Sequence, residues 1–194
     1  MFRPIIDRAY KKNDTMHDDG LKDGPWFTKG TYMNQMLHCG GRYNGWVQHA
    51  IECLPPAVLD QYKDSLVFIS TGESDGCRVA RALCESREII ILSERILPRK
   101  GMNEADPAVR YSIFAVFHEV AHAYLKHRSP MFDGITPEKN AAQETEADAL
   151  ALRWYNDYVT EKGNPDLPQL TINEIEGARE KNQAEMEAHY ECSN

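Results

Sequence analysis

The amino-acid sequence predicts an α+β protein in which a small β-sheet packs against long helices. Two short aliphatic stretches, LVFIS at 66–70 and IIIL at 89–92, are bounded by turn residues or charge, as strands usually are. The second half of the chain instead repeats its apolar residues at helical spacing, after proline-containing start signals. The chain has 194 residues, of which 42% are hydrophobic and 27% charged, and this is the composition of an ordinary globular protein.

Residues 1–25 and 26–194 differ in composition. The first segment is rich in Asp, Lys and Gly and ends in the turn-like KDGP, so we expect a polar N-terminal arm. The rest has the usual size of one domain, and we expect a single domain there. Near its start, HCGGRYNG at 38–45 and the pair Pro55-Pro56 predict short helices that flank a glycine-containing loop.

Three helices are expected in the second half, and each begins at a recognisable start signal. Asp106 followed by Pro107 supplies an N-cap and a first turn, and Thr136 followed by Pro137 repeats the pattern. The sequence TINE at 171–174 is a capping box, in which the first and fourth residues satisfy each other's backbone N–H groups. The predicted helices span about 107–127, 137–162 and 172–190.

The charge and hydropathy patterns exclude several classes of protein. With 30 acidic and 22 basic residues the net charge is −8, and no Lys/Arg cluster interrupts it, so we expect no nucleic-acid partner. The longest apolar runs are far shorter than the roughly 20 residues of a membrane span. The N-terminal residues become charged too early for a secretory signal. We therefore expect a cytoplasmic protein without a membrane partner.

The five cysteines form no disulfide or zinc-knuckle pattern, because their number is odd and no CxxC pair is present. We interpret them as reduced and mostly buried thiols. Cys77 and Cys84 would share a helix face as a packed stripe, and His38 with Cys39 lacks a third ligand, which favours a loop there. The five are Cys39, Cys53, Cys77, Cys84 and Cys192.

The segment FHEVAHAYL places His118, Glu119 and His122 in an apolar stretch of the first of these helices. Residues i and i+4 lie one above the other on a helix, so the two imidazoles face a common point, and Glu119 is rotated by about 100° to lie beside it. Burying these groups without a partner would cost several kcal/mol, which disfavours a purely structural pair of core histidines. Two neutral imidazoles suit Zn²⁺, but a catalytic zinc usually has three protein ligands. The pattern therefore predicts a metal site with a third ligand elsewhere.

The sequence ETEAD supplies the candidate third ligand. Glu144 follows the second histidine by 22 residues, enough for the chain to leave one helix and present a carboxylate from the next. Asp148 shares its helix face four residues later, and we expect it to accept a hydrogen bond from the outer N–H of His118 and so orient that imidazole. Glu146 is about 200° around the helix from Glu144 and should face elsewhere.

The predicted chemistry is hydrolysis of an amide without a covalent intermediate. Zn²⁺ lowers the pKa of a bound water toward about 7 and polarises the substrate carbonyl. Glu119 is the general base that takes the proton of the attacking water and returns it to the leaving nitrogen. His118, His122 and Glu144 are the expected metal ligands, and Zn²⁺ is the expected cofactor.

The motifs HEVAH at 118–122 and ETEAD at 144–148 resemble those of the gluzincin-type zinc metallopeptidases, in which a Glu from the following helix completes the HExxH site. The ImmA/IrrE family of small cytosolic metallopeptidases is the first resemblance, and the HtpX-like and CAAX peptidases are the second. The resemblance covers residues 88–155 and implies a minimal zincin-like domain, a zinc metallopeptidase (hydrolase) activity and a protein or peptide substrate. Asp148 follows the HtpX-like pattern, since ImmA/IrrE members more often have Asn, but the sequence lacks the membrane span of HtpX-like proteases.

Several further residues have competing interpretations. By the resemblance, the strand REIIILSERI at 87–96 either holds substrate as an added β-strand or is a structural strand of the core. His127 lies about 140° around the helix from His122 and is interpreted as a C-terminal cap or dipole partner rather than a ligand. Two pairs of residues could stabilise the oxyanion, and the sequence does not choose between them. They are His189 with Tyr190 and Tyr155 with Tyr158.

Two other functions are compatible with parts of the pattern. Glu119-x-x-His122 is half of the motif of ferritin-like di-iron bundles, but the sequence has no second ExxH. A non-catalytic regulatory protein that binds zinc and retains a metallopeptidase fold is the main alternative, and it predicts bound zinc without hydrolysis. Glu119 disfavours it, because a purely structural site needs no base beside the metal.

Overall fold

The structure is a computed structural model that describes residues 36–38, 41–62, 65–71, 76–79, 88–93, 95–98, 102–163 and 167–192. The arm predicted for residues 1–25 lies outside these ranges. The described strands are β1 (Met36–His38), β2 (Leu66–Thr71), β3 (Gly76–Val79) and β4 (Glu88–Ser93). The described helices are α1 (Gly41–Glu52), α2 (Pro56–Tyr62), α3 (Pro107–Tyr124), α4 (Pro130–Asp133), α5 (Pro137–Lys162) and α6 (Ile172–Cys192).

The described strands form one mixed sheet in the order β1-β2-β4-β3. β1, β2 and β4 run parallel and β3 runs antiparallel to β4, so that Ile90 pairs with Phe68 on one side and with Arg78 on the other. The two predicted strands are β2 and β4, and their aliphatic residues suit a sheet that is covered by helices. Alternate residues of β2 and β4 are buried, such as Leu66 with Phe68 and Ile90 with Leu92. Sheet and helices together confirm the α+β class.

β4 is an interior strand of this sheet, because β2 and β3 pair with its two edges. An added substrate strand needs an unpaired edge of backbone N–H and C=O groups. The interpretation of residues 87–96 as the strand that holds substrate is therefore wrong, and the structural alternative is correct. Among the strands that the structure describes, β3 forms the edge next to β4, and α3 packs against both.

α3 is the central helix of the described fold. It packs against α1, β3, β4, α5 and α6, and every residue from 116 to 123 is buried. Apolar residues of the helix such as Ile113 and Val120 therefore lie on several of its sides, as burial of a whole helix requires. The helix begins at Pro107, as predicted, but the Asp106 side chain makes no capping hydrogen bond and accepts from the Asn103 N–H instead. The helix ends at Tyr124 rather than near residue 127, because Lys126 adopts the left-handed conformation (φ 57°).

α5 and α6 begin at their predicted start signals. Thr136 caps α5 by accepting a 3.3 Å hydrogen bond from the backbone N–H of Lys139, and Gly163 follows its end in the left-handed conformation (φ 60°). Before α6, the Thr171 N–H donates to Glu174 Oε2 at 2.8 Å, and the Glu174 N–H donates to Thr171 Oγ1 at 3.3 Å. These reciprocal bonds confirm the capping box.

The helices also differ from the prediction near residue 41. Residues 41–45 belong to α1, so the loop predicted for residues 38–45 is wrong over that stretch. Val47, Ala50 and Ile51 of the same helix are fully buried, and such tertiary packing overrides the low helix propensity of glycine. None of the helices in the described ranges has both the length and the apolar composition that spanning a bilayer needs.

Candidate metal centre

His118 and His122 lie side by side on consecutive turns of α3. Their Nε2 atoms are 3.0 Å apart, and both side chains are buried. Glu144, on α5, brings its Oε2 atom to 3.2 Å from His118 Nε2 and to 3.6 Å from His122 Nε2. The two helices pack along each other, for example through the edge-to-face contact of Phe117 with Trp154. The structure thus brings together the three residues that the sequence proposes as metal ligands.

The spacing of these three ligand atoms fits a metal ion. Two ligand atoms that are each about 2.0–2.1 Å from a tetrahedral metal are about 3.3–3.4 Å from one another. The observed separations of 3.0, 3.2 and 3.6 Å scatter around that value. Two imidazole nitrogens and a carboxylate oxygen are also a donor set that divalent transition metals accept. The group is therefore compatible with a metal ion.

Negative charge is concentrated around the two imidazoles. Burial by itself would lower the pKa of His118, but Asp148, Glu144 and Glu119 raise it to about 9. Hydrogen bonds with His118 and His122 hold the pKa of Glu144 far below its usual value. Glu119 is buried beside this group and contributes no atom to the three converging ligands. The cluster therefore attracts a positive charge, which is either a proton or a metal ion.

Asp148 lies behind His118, at the nitrogen that does not face Glu144. Its Oδ1 atom is 2.8 Å from His118 Nδ1, a close ion pair that is not aligned as a linear hydrogen bond. Arg179 of α6 donates two hydrogen bonds of 2.7 Å to Asp148, one to each oxygen. Although burial raises the pKa of Asp148, the contacts with His118 and Arg179 lower it to about 2. The contact expected between Asp148 and His118 is present, and the carboxylate stays charged.

Arg179 is a residue that the sequence does not reveal. It lies 31 residues after Asp148, on a mostly polar helix, and belongs to no recognisable motif. Its guanidinium group also lies 6.0 Å from the ring centroid of Phe114, whose own ring is 6.1 Å from that of His118. The packing of α6 against α3 therefore places Arg179 next to the carboxylate that contacts His118.

His122 has a different neighbour on its other nitrogen. Its Nδ1 atom lies 3.0 Å from His127 Nδ1, and His127 Nε2 lies 3.1 Å from Glu146 Oε2. The left-handed Lys126 turns the chain back after α3, and the backbone N–H of His127 donates to the carbonyl of His122 at 3.0 Å. When His122 holds a metal through Nε2, its Nδ1–H donates to His127 Nδ1, and the Nε2–H of His127 donates to Glu146.

The predictions for these two residues are correct in part. His127 stays out of the three-residue ligand group, and its buried side chain contacts His122, which the sequence did not predict. Glu146 faces away from Glu144 and meets His127 instead. The sequence misses this chain of contacts because the left-handed conformation of Lys126 leaves no mark on the residue pattern.

The tyrosines proposed for the oxyanion lie far from the metal ligands. Tyr155 and Tyr158 follow Glu144 by 11 and 14 residues on one helix. At about 1.5 Å per residue they are roughly 16 and 21 Å away along α5. Of the two candidate pairs for the oxyanion, the pair Tyr155 and Tyr158 is therefore too distant to act at the metal ligands. The side chains of the other pair, His189 and Tyr190, lie outside the described part of the structure.

Comparison with known protein families gives a match to the family Peptidase U49 over residues 108–174. This segment covers about a third of the chain and contains α3, α5 and the first residues of α6, with all the predicted site residues. No curated protein and no solved structure gives a significant match. The helices that carry the candidate metal centre are therefore similar to those of a peptidase family, and the match specifies neither ImmA/IrrE nor the HtpX-like peptidases.

Proposed function

We propose that the chain is a zinc-dependent metallopeptidase that hydrolyses a peptide bond in a protein or peptide substrate. The observation that carries the proposal is the convergence of His118 Nε2, His122 Nε2 and Glu144 Oε2 at 3.0–3.6 Å from one another. The similarity of the same helices to Peptidase U49 supports a peptidase.

Zinc suits both the donor set and its exposure. Two histidines and one carboxylate are a known ligand set of catalytic zinc, in which the fourth position is left for water or substrate. The side chains of His118 and His122 are 9% and 11% exposed, whereas that of Glu144 is 45% exposed, so the group opens to solvent on the Glu144 side. When bound there, the ion supplies a Lewis acid and lowers the pKa of a water molecule.

Glu119 is the general base in this proposal. It is buried one residue after the first ligand, and its charge raises the pKa of His118, so its carboxylate lies close to the converging atoms. It accepts the proton of the water that attacks the scissile carbonyl, and it donates this proton to the leaving nitrogen. A covalent intermediate is not needed.

The residues behind the histidines act as positioning residues. Asp148, which Arg179 holds in place, contacts His118 at Nδ1, and His127 contacts His122 at Nδ1. Each contact leaves Nε2 as the nitrogen that faces the metal, because the outer partner of an imidazole selects its tautomer.

Among zinc metallopeptidases, we place the chain nearer to ImmA/IrrE than to the HtpX-like proteases. The pair of motif helices is common to both families, and the placement and its cytoplasmic setting rest on the resemblance to the small cytosolic ImmA/IrrE peptidases. Asp148 remains the feature that is shared with the HtpX-like pattern.

The proposal is tested by measuring zinc content and cleavage of a broad peptide library for the native protein and for Glu119→Gln, purified without chelators. Glu119→Gln should keep its zinc and lose cleavage by about 10²–10⁴-fold, since it removes only the base. Glu161→Gln, an exposed glutamate on α5, is the matched control and should behave like the native protein. Absence of zinc from both native and variant protein would sink the proposal, and full zinc without any cleavage would favour the non-catalytic regulator.

A further inference from the structure

A second group of potential metal ligands lies toward the other end of α5 from Glu144. His49 is on α1, Cys53 directly follows the end of that helix, and Glu104 is in the turn before α3. One nitrogen, one sulfur and one oxygen atom of these residues lie within 4.8 Å of one another. Tyr158 borders the group and donates a 2.8 Å hydrogen bond to Glu104. It follows Glu144 by 14 residues on α5, which is roughly 21 Å.

His49 Nε2 is the atom at which this group meets. It lies 3.8 Å from Cys53 Sγ and also contacts Glu104 Oε1. A nucleophilic Cys-His-Glu relay uses two different nitrogens of the imidazole, one toward the thiol and one toward the carboxylate. Here one nitrogen faces both groups, so the three side chains converge on a point as metal ligands do. A nitrogen and a sulfur bound to one tetrahedral zinc would be about 3.6 Å apart, which is close to the observed separation.

Lys162 neutralises the Glu104 carboxylate of this group in the structure. Its Nζ atom donates to the two oxygens of Glu104 at 2.9 and 2.6 Å, and to the oxygen of Tyr158 at 2.6 Å. The Lys162 side chain is 37% exposed and belongs to the last turn of α5, so it can turn to solvent at small cost. Another cation can therefore replace the Lys162 ammonium group at Glu104.

We propose that His49, Cys53 and Glu104 form a second metal site, for a thiophilic divalent cation such as Zn²⁺, which displaces Lys162 from Glu104. In the metal-free protein His49 Nε2–H donates to Glu104 Oε1, so on binding the proton of the neutral imidazole moves to Nδ1 and frees Nε2 for the metal. One proton, that of the Cys53 thiol, is released, whereas the ammonium group of Lys162 keeps its protons and moves to solvent. A neutral imidazole, a thiolate and a carboxylate are ligands that zinc accepts together. The ion ties α1 to the turn that precedes α3, and this role is independent of any peptidase activity.

Cobalt(II) is the probe that separates this site from the candidate metal centre. We expect titration of the metal-free full-length protein with Co²⁺ to produce the near-ultraviolet charge-transfer absorption of a cobalt–thiolate bond. The candidate metal centre has nitrogen and oxygen ligands only, so it cannot give this absorption. One equivalent of Zn²⁺ per site should then remove the absorption by displacement.

Four variants identify the ligands. Cys53→Ser should abolish the absorption, whereas Cys192→Ser, which tests one of the four other thiols, and His122→Ala, which disables the candidate metal centre, should keep it. Glu104→Gln should weaken Co²⁺ binding by at least about tenfold with an unchanged circular dichroism spectrum. This second ligand variant keeps the test valid if Cys53→Ser unfolds.

Lys162→Gln provides the opposite test. If Lys162 competes with the metal, removing it should tighten Co²⁺ binding by up to about fivefold, the free energy of a partly exposed ion pair. The proposal is overturned if folded native and Lys162→Gln proteins both lack the absorption, or if the absorption persists in Cys53→Ser. In that case the group is a hydrogen-bonded network with lysine as its permanent cation.

Discussion

Arg179 of α6 and Asp148 of α5 form a bidentate ion pair in which both nitrogen–oxygen distances are 2.7 Å. Asp148 in turn lies 2.8 Å from His118 Nδ1, so the C-terminal helix supports a candidate metal ligand through one intermediate carboxylate. The two parallel bonds fix the plane of the carboxylate as well as its position. Arg179 lies beyond the segment that is similar to Peptidase U49, and this support therefore comes from outside the matched helices.

Arg179→Gln is expected to weaken zinc binding by roughly tenfold, because loss of a group behind a ligand histidine typically costs 10–100-fold in metal affinity. Arg179→Lys keeps the charge but loses the parallel pair of bonds, so it should recover part of the loss. Competition with a chromophoric chelator measures the affinity, and Arg153→Gln, exposed on α5, is the control. Lower thermal stability with unchanged zinc affinity would mean that the ion pair is only structural.

His127→Ala is expected to weaken zinc binding by about tenfold, because it removes the partner of His122 Nδ1. Glu146→Gln should have a smaller effect, below about threefold, since the Glu146 side chain is 66% exposed and largely solvated. The same chelator competition gives both values. A cap or dipole role alone predicts instead that His127→Ala lowers the melting temperature while the zinc affinity stays that of the native protein.

Proline substitutions distinguish the edge strand from the interior strand. Ile90→Pro should unfold the protein, because Ile90 is paired on both sides and proline removes a ladder hydrogen bond. In β3, successive N–H groups point to opposite sides, so one of Cys77→Pro and Arg78→Pro should break pairing with β4 and the other should not. If peptide substrate adds to β3, the tolerated variant should raise KM by about tenfold, the value of one lost backbone bond.

Thermal melts and peptide cleavage by the two β3 variants check this expectation. An unchanged KM in the variant that keeps its native melting temperature would show that substrate does not pair with β3.

Removal of metal is expected to lower the melting temperature. A ligand at 100 times its Kd stabilises the folded state by about 2.7 kcal/mol, which for a chain of this size corresponds to roughly 5–10 °C. Thermal melts with and without a strong chelator measure the shift, and a variant with both His118→Ala and Cys53→Ser should not respond. A native protein whose melting temperature ignores the chelator would contradict metal binding at both sites.

Glu174 should contribute to the acid sensitivity of folding. Although burial raises the pKa of Glu174, hydrogen bonds with Thr171 and the charge of Arg110 lower it below the ordinary value of 4.5. A carboxylate with a lowered folded pKa stabilises the fold above its unfolded pKa, and this stabilisation is lost as the pH falls through the folded pKa. Glu174→Gln should therefore lower the free energy of unfolding at pH 7 by about 0.5–1 kcal/mol, a modest value because the side chain is largely exposed.

Urea denaturation at pH 7 and at pH 3 tests this dependence, because the difference between variant and native protein should shrink at the lower pH. Glu176→Gln, at an exposed position on the same helix, is the control and should show no such convergence. An equal difference at both pH values would rule out the charge of Glu174 as the cause.

The sequence by itself determines the local features of this protein. Pro107 and Pro137 begin their helices where predicted, because a first-turn proline acts within a few residues, and Thr136 caps the second of these helices. His118 and His122 face one point because the helix period places residues four apart on one face. Glu144 was accessible to the same reasoning, since only one more helix had to pack beside the first.

The tertiary structure alone decides the contacts between distant segments. Arg179 reaches Asp148 across 31 residues, and Glu104 reaches His49 across 55, without any periodicity that relates them. β4 is interior because the short strand β3 pairs with its outer edge, and four residues of mixed character carry little strand signal. Such pairings depend on how whole elements pack, and a change of crossing angle or strand order would alter them without altering any local pattern.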